Sequence, residues 1–70
     1  MYEITNVLNT GPYFFVDTTQ ARDLRIPRGL LTSYLQKGRF LEKSKKDGKT
    51  EFRVYDIDGK TELASEVFNF

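Results

Sequence analysis

The chain has 70 residues, of which 39% are hydrophobic and 14% aromatic, and it contains neither cysteine nor histidine. This length fits one small domain, residues 1–70, and the aromatic content predicts a folded core. Without Cys and His the chain has no disulfide, no thiolate or imidazole metal site, and no cysteine nucleophile or histidine general base. We therefore expect a non-enzymatic protein that needs no cofactor. No signal peptide or membrane-spanning apolar run is visible, which favours a cytoplasmic location.

The charge of the chain is unevenly distributed, although its net value is only +1. Residues 22–49 contain nine Lys and Arg against three Asp and Glu, whereas the remaining residues contain two against seven. A chain of this kind can present a basic face to a polyanion, while its acidic part limits indiscriminate binding. The alternative is an ordinary solvated surface with uneven charge.

The first part of the chain predicts a β-hairpin. Residues 2–8 alternate between apolar and polar side chains, which is typical of a strand. The tetrapeptide Asn9–Pro12 is a turn, because Gly tolerates positive φ and Pro cannot continue a paired strand. The aromatic and β-branched run Tyr13–Val16 is then a second strand.

Two short helices are predicted next, over residues 18–24 and 27–37. Asp17 can cap the first one, because Gln20 follows three residues later in a variant of the capping box. Pro27 is tolerated in the first turn of the second helix. Leu30, Leu31, Tyr34 and Leu35 would form its apolar stripe, with Gly38 as the stop after Lys37.

The last part of the chain predicts a second hairpin. Residues 40–44 and 50–57 are predicted strands, and the intervening Asp47-Gly48 is the strongest short hairpin signal. Residues 61–68 fit either a third strand or a short helix. We favour the strand, because Asp58-Gly59 lies between two extended-looking stretches.

Residues 17–37 resemble a helix-turn-helix. The resemblance lies in the small Ala21, in the apolar Leu24 and Ile26 that follow it, and in the apolar Leu31 and Tyr34 of the second helix. With the following hairpin, residues 17–55 resemble the small winged helix-turn-helix regulators of the MerR-like and phage excisionase types. The resemblance implies an α+β fold with helices over about 18–24 and 27–37, an N-terminal hairpin and a C-terminal β-hairpin wing.

That resemblance implies a sequence-specific DNA-binding protein that regulates transcription or recombination. Its helix 27–37 would read the major groove, and the hairpin at 43–49 would grip phosphates. Proteins of this type often pair, so a homodimer is one oligomeric state to test. The candidate DNA-binding residues are Arg25, Arg28, Thr32, Ser33, Gln36, Lys37, Arg39, Lys43, Lys45, Lys46 and Lys49.

The alternative hypothesis is a protein-binding module, such as a small inhibitor or adaptor of the kind that phages encode. It would use an exposed sheet edge or an aromatic face, and a protein partner would replace DNA. Residues 18–25 discriminate between the two hypotheses, because only the helix-turn-helix needs a helix there. The aromatic face would comprise Tyr13, Phe14, Phe15, Phe68 and Phe70.

Overall fold

The computed structural model of the protein describes residues 1–70 and contains six antiparallel β-strands and one turn of 3₁₀ helix. None of the helical structure could span a membrane. In chain order the elements are β1 Tyr2–Asn9, β2 Tyr13–Thr18, β3 Leu24–Pro27, the 3₁₀ turn Leu31–Tyr34, β4 Phe40–Lys46, β5 Lys49–Tyr55 and β6 Glu62–Phe68.

The strands form two three-stranded halves that are joined through β1. Together they form one six-stranded sheet with the order β3-β2-β1-β4-β5-β6, and we call its half β1–β3 sheet 1 and its half β4–β6 sheet 2. Only Tyr2 and Glu3 of β1 pair with β4, whereas the rest of β1 pairs with β2. The pairing of β1 with β2 is irregular between Ile4 and Asn6, one residue beyond the part of β1 that pairs with β4. An extra residue in one strand bends it, which allows β1 to serve both halves.

The two sheets share one hydrophobic core. Alternate residues of β2 and of β5 are buried, as expected for strands with one face toward a core. The 3₁₀ turn lies against β5 and β6, and its Leu31 and the following Leu35 are both buried in the core. The core residues are Phe14, Val16, Ile26, Leu31, Leu35, Leu41, Phe52 and Val54.

A two-residue turn connects β4 to β5. Asp47 has φ 53° and Gly48 has φ 76°, so both central residues have the positive φ that a type I′ turn requires. Lys46 pairs with Lys49 on either side of this turn. The Asp-Gly signal therefore predicts this hairpin correctly.

The strand predictions are confirmed at both ends of the chain. The N-terminal hairpin forms between β1 and β2, and the hairpin predicted from residues 40–44 and 50–57 forms between β4 and β5. The strand that we favour over a helix for residues 61–68 is also confirmed. It is β6, Glu62–Phe68, which pairs with β5.

The helix predicted over residues 18–24 is wrong. Thr18 ends β2, and its hydroxyl oxygen accepts the Ala21 N–H at 3.0 Å, which closes a tight turn. Asp17 Oδ1 accepts the N–H of Asp23 at 2.8 Å, so the predicted cap stabilises a loop instead of a helix. Leu24 and Ile26 then alternate with exposed Arg25 along β3, and both face Val16 and Phe14 of β2.

The helix predicted over residues 27–37 is also wrong, because only Leu31–Tyr34 are helical and they form a 3₁₀ turn. Pro27 belongs to β3. The Thr32 hydroxyl accepts the Gly29 N–H and donates to the Gly29 carbonyl, both at 2.9 Å, which satisfies backbone groups that a longer helix would use. Of the predicted apolar stripe, Leu31 and Leu35 are buried and Tyr34 is half-buried, whereas Leu30 is 65% exposed.

The α+β winged helix-turn-helix fold predicted from residues 17–55 is therefore wrong. The chain is an all-antiparallel β protein in which the hairpin exists without the two helices that it was expected to flank. Residues 18–25, which discriminate between the two functional hypotheses, form the end of β2, a turn and the start of β3.

Candidate nucleic-acid interface

Four lysines gather at the free end of the β4–β5 hairpin. Lys43, Lys45, Lys46 and Lys49, here called the lysine hairpin, are all exposed. None of them forms an ion pair, since the ion pairs of the protein involve only Arg39 and Arg53. The single carboxylate in this segment is Asp47 in the turn itself. The hairpin end therefore carries a concentrated positive charge.

The lysine hairpin is basic on both of its faces. Residues directly opposite each other in an antiparallel pair share a face, so Lys43 lies beside Phe52 and Lys45 beside Thr50 on the face that continues from the core. Lys46 and Lys49 lie opposite each other on the other face. Like charges in such a pair repel each other, which destabilises the hairpin.

Three phenylalanine rings lead from the core to the surface beside these lysines. Buried Phe52 meets Phe68 edge to face, with ring centres 5.9 Å apart. Phe68 stacks on Phe70 with ring centres 5.6 Å apart and an interplanar angle of 27°. We call these three residues the aromatic ladder. Its outer ring, Phe70, is 53% exposed.

Thr50 connects the aromatic ladder to the lysine hairpin. Its hydroxyl donates to the Phe70 carbonyl oxygen, and its hydroxyl oxygen accepts a hydrogen bond from Lys45 Nζ at 3.0 Å. Thr50 itself is buried, and it pairs with Phe68 of β6. One side chain therefore holds an ammonium group and the backbone of the exposed ring on the same side of sheet 2.

The middle of the outer face of sheet 2, away from the core, is acidic, because one arginine stands there among three glutamates. Arg53 lies 3.2 Å from a Glu51 oxygen and 3.4 Å from a Glu62 oxygen, and the Tyr55 hydroxyl donates to Glu42. The hydrogen bond to Glu51 is the main cause that raises the pKa of Arg53. Positive potential on this sheet is therefore confined to the lysine hairpin, and the middle of the outer face carries the opposite charge.

Two of the predicted contact residues lie on sheet 1 and have other partners. The Arg28 side chain donates to the Gly11 carbonyl at 2.6 Å and to Asn9 Oδ1 at 2.7 Å, so it fastens the β1–β2 turn. The Arg25 guanidinium carbon lies 5.0 Å from the centre of the Tyr13 ring. Both arginines lie at or next to β3, and β2 and β1 separate β3 from the β4–β5 hairpin.

The residues of the expected recognition helix do not form a common exposed face. Thr32 is buried, with 3% of its surface exposed, and Ser33 donates to the Leu30 carbonyl at 2.6 Å. Lys37 Nζ lies 5.9 Å from the centre of the Tyr34 ring. Gln36 and Arg39 are also exposed, and Arg39 pairs with Glu3 at 2.8 Å. The structure thus gathers Lys43, Lys45, Lys46 and Lys49 and disperses Arg25, Arg28, Thr32, Ser33, Gln36, Lys37 and Arg39.

The aromatic residues predicted as one face are also divided. Phe14 is buried in the core, whereas its neighbours Tyr13 and Phe15 are on the opposite side of β2. Phe68 and Phe70 belong to the aromatic ladder at the other sheet. The proximity of the aromatic ladder to the lysine hairpin was missed, because it depends on the pairing of β5 with β6.

One open depression lies on the surface of sheet 1, near the β2–β3 turn. It is lined mainly by polar residues, and the only apolar one among them is Ala21. Asp17 in its wall already accepts the Asp23 N–H. The depression is separate from the lysine hairpin, and its shape and lining indicate no ligand.

Comparison of the chain with models of protein families, with curated proteins and with solved structures finds no match.

Proposed function

We propose that the protein binds nucleic acid, with DNA as the first candidate, through the lysine hairpin. The observation that carries this proposal is the group of four exposed lysines without a carboxylate partner at one end of the molecule. Ammonium groups bind phosphates and release condensed counterions, which is the main source of affinity in sequence-tolerant binding.

The cross-strand pair of Lys46 and Lys49 supports the proposal. Two like charges in this position repel, and a hairpin that served only as a turn would be more stable with one of them replaced. A polyanion ligand relieves the repulsion, so the arrangement is favourable only in the bound state.

The proposal contains no recognition helix, because residues 27–37 form a strand end and a 3₁₀ turn. A role in regulating transcription or recombination by reading the major groove depended on that helix. We infer that binding is governed by phosphate contacts and tolerates different sequences.

The test is a fluorescence anisotropy titration of labelled DNA at two salt concentrations, about 50 mM and 200 mM. We expect log affinity to fall with log salt, with a slope that corresponds to about three to four phosphate contacts. The double variant Lys46→Ala/Lys49→Ala should weaken binding of every sequence by about tenfold or more, and should reduce the slope by about two contacts.

The matched control is Lys37→Ala/Lys60→Ala, which removes the same charge from the opposite end of sheet 2. It should change the affinity by less than about threefold. If both double variants weaken binding equally, the lysine hairpin is not the site. Absence of salt-dependent binding by the unmodified protein at 50 mM would contradict the proposed function itself.

We infer a protein-binding role as the second candidate, through the outer side of sheet 1. Leu8 of β1 is 56% exposed there and pairs with Phe15 of β2. Tyr13 lies on the same side of β2, two residues before Phe15. A patch of this kind is typical of association surfaces. Sedimentation of the protein at rising concentration tests whether a second copy binds there. A dimer that Leu8→Ser converts to monomer supports this role, and a monomer at every concentration excludes a homodimer.

A further inference from the structure

The exposed ring of Phe70 is held in place by two independent contacts. Phe68 covers one of its faces at 5.6 Å, and Phe68 is itself held against the buried ring of Phe52. The hydroxyl of buried Thr50 binds the Phe70 carbonyl oxygen. The backbone of Phe70 and its neighbouring ring, Phe68, therefore hold the Phe70 side chain in place. About half of the surface of Phe70 remains exposed to solvent.

Two lysines lie on the same face of sheet 2 as the aromatic ladder. Lys45 Nζ donates to the same Thr50 hydroxyl that holds Phe70, so the ammonium group and the ring share one anchor. Lys43 lies on the same face, two residues back along β4. The carboxylate on this face, Glu66, lies opposite Phe52 and accepts the Leu31 N–H at 3.1 Å, whereas Lys43 and Lys45 have no ion-pair partner.

An aromatic ring next to unpaired lysines matches the two parts of a nucleotide. The phosphate is an anion that lysine binds, and an unpaired base has an open face that can stack on an aromatic side chain. In a duplex the base faces are covered by their neighbours, so a duplex offers the phosphates but not an open base. The combination therefore favours single strands.

We propose that the ligand is single-stranded nucleic acid, with an unpaired base stacked on Phe70 while the lysine hairpin holds the adjacent phosphates. This proposal rests on the proposed function, because it assigns the ligand class of the same site. Phe68 is a positioning residue that supports the stacked ring, and Thr50 is a positioning residue that joins the ring to Lys45.

The first experiment compares a labelled single-stranded oligonucleotide of about 15 nucleotides with a duplex of equal length, a size near the upper end of what one small domain covers. Phe70→Ala should lower the affinity for the single strand by about five- to 100-fold and leave duplex affinity within about twofold. The salt dependence should not change, because no phosphate contact is removed. Tyr13→Ala, which removes an exposed ring on sheet 1, is the matched control and should leave both affinities unchanged.

The second experiment uses the absence of tryptophan from the chain. Phe70→Trp places a single indole at the proposed stacking position and does not require the ring to be lost. Its fluorescence should be quenched when the single strand binds and should change little with duplex. A Tyr13→Trp variant should show no quenching with either.

The outcomes separate this proposal from the proposed function. If the lysine variants weaken binding but Phe70→Ala does not, or if it weakens single strand and duplex equally, stacking on Phe70 is wrong and phosphate binding stands. If neither nucleic acid binds at low salt, both proposals fail.

Single-stranded RNA of the same sequence should bind within about fivefold of DNA, because neither ring nor ammonium reads the 2′-hydroxyl. A strict preference for RNA or for DNA would show that other contacts dominate and would overturn the proposal.

Discussion

Gly38 lies where the chain passes from the 3₁₀ turn to β4, close against β5. A Cβ at this position would overlap Val54 Cγ1 and would lie 3.2 Å from the Tyr55 carbonyl oxygen. Val54 is fully buried, so it cannot move aside freely. We expect Gly38→Ala to lower the free energy of unfolding by about 1–3 kcal/mol, measured by urea denaturation.

The cause of that loss can be checked with a double-mutant cycle. Val54→Ala removes the methyl group that the new Cβ of Gly38→Ala would strike. The double variant should therefore be less destabilised than the sum of the two single variants. Simple additivity would contradict a steric origin and would indicate a change in backbone conformation.

Asp58 organises the turn between β5 and β6. Its Oδ1 accepts the N–H groups of Lys60 and Thr61 at 2.8 and 2.9 Å, and its Oδ2 accepts the Thr61 hydroxyl at 2.6 Å. The Thr61 hydroxyl is the main cause that lowers the pKa of this carboxyl, followed by the two backbone groups. Because the pKa is lowered on folding, the carboxylate adds stability above the ordinary Asp pKa of about 3.9, and this stability is lost as the pH falls through the lower folded value.

The corresponding prediction is a change in the titration of one residue. Thr61→Val should raise the Asp58 pKa toward its ordinary value, because it removes the largest of the contributing hydrogen bonds. NMR titration of the Asp58 carboxyl carbon measures this. Asp58→Asn should lower the melting temperature at pH 7, and the difference from the unmodified protein should shrink in the acid range. An Asp58 pKa that is the same with and without the Thr61 hydroxyl would contradict the assignment.

In the β4–β5 hairpin, the same pair of lysines affects both the stability of the protein and its proposed binding of DNA. Lys49→Glu replaces a repelling pair with an attracting one opposite Lys46. It should raise the free energy of unfolding by about 0.2–1 kcal/mol, measured by denaturation. The same change should weaken DNA binding by more than tenfold in the anisotropy assay, because a cation becomes an anion at the proposed site.

The opposite signs make this prediction specific. A variant that is both less stable and a weaker binder would show only that the hairpin is damaged. Lys60→Glu, in the turn at the other end of sheet 2, is the control and should leave DNA affinity within about threefold. Unchanged DNA binding by Lys49→Glu would remove Lys49 from the site.

At the scale of the whole molecule, the two sheets should unfold together, because their side chains form one core. Val16 belongs to sheet 1 and is fully buried. We expect Val16→Ala to cost about 2 kcal/mol, which corresponds to a melting temperature about 8–16 °C lower. The shift should be equal when measured by circular dichroism and by NMR signals of β5 and β6. Separate transitions for the two sheets would contradict a shared core.

Sequence patterns predicted local features well and their combination badly. Asp47-Gly48 specified a turn, since few residues other than Gly tolerate positive φ, and the alternation around Phe52 and Val54 specified a half-buried strand. Leu31 and Leu35, predicted on one side of a helix, are both buried, but the helical segment is one 3₁₀ turn and Leu30 is exposed. A short stripe cannot distinguish a helix of three turns from a single turn that closes a core.

The candidate site divides in the same way. Lys43, Lys45, Lys46 and Lys49 could be assigned from sequence, because they are close together in the chain and on either side of a recognisable turn. Phe68 and Phe70 were noticed as aromatic, but their place beside Lys45 follows from the pairing of Thr50 with Phe68. Long-range strand pairing carries no local signal, so no pattern within the segment could have indicated it.

The sequence by itself determined the hairpins, the strands at both ends and the basic hairpin end, since each depends on residues that are neighbours in the chain. Only the tertiary structure decided the fate of residues 18–37. Side chains of Asp17, Thr18 and Thr32 bind nearby backbone groups, and Leu24 and Ile26 gain more by pairing with β2 than a short helix would supply. The basic segment that resembles a helix-turn-helix with a wing therefore forms the edge strand β3, one 3₁₀ turn and the lysine hairpin.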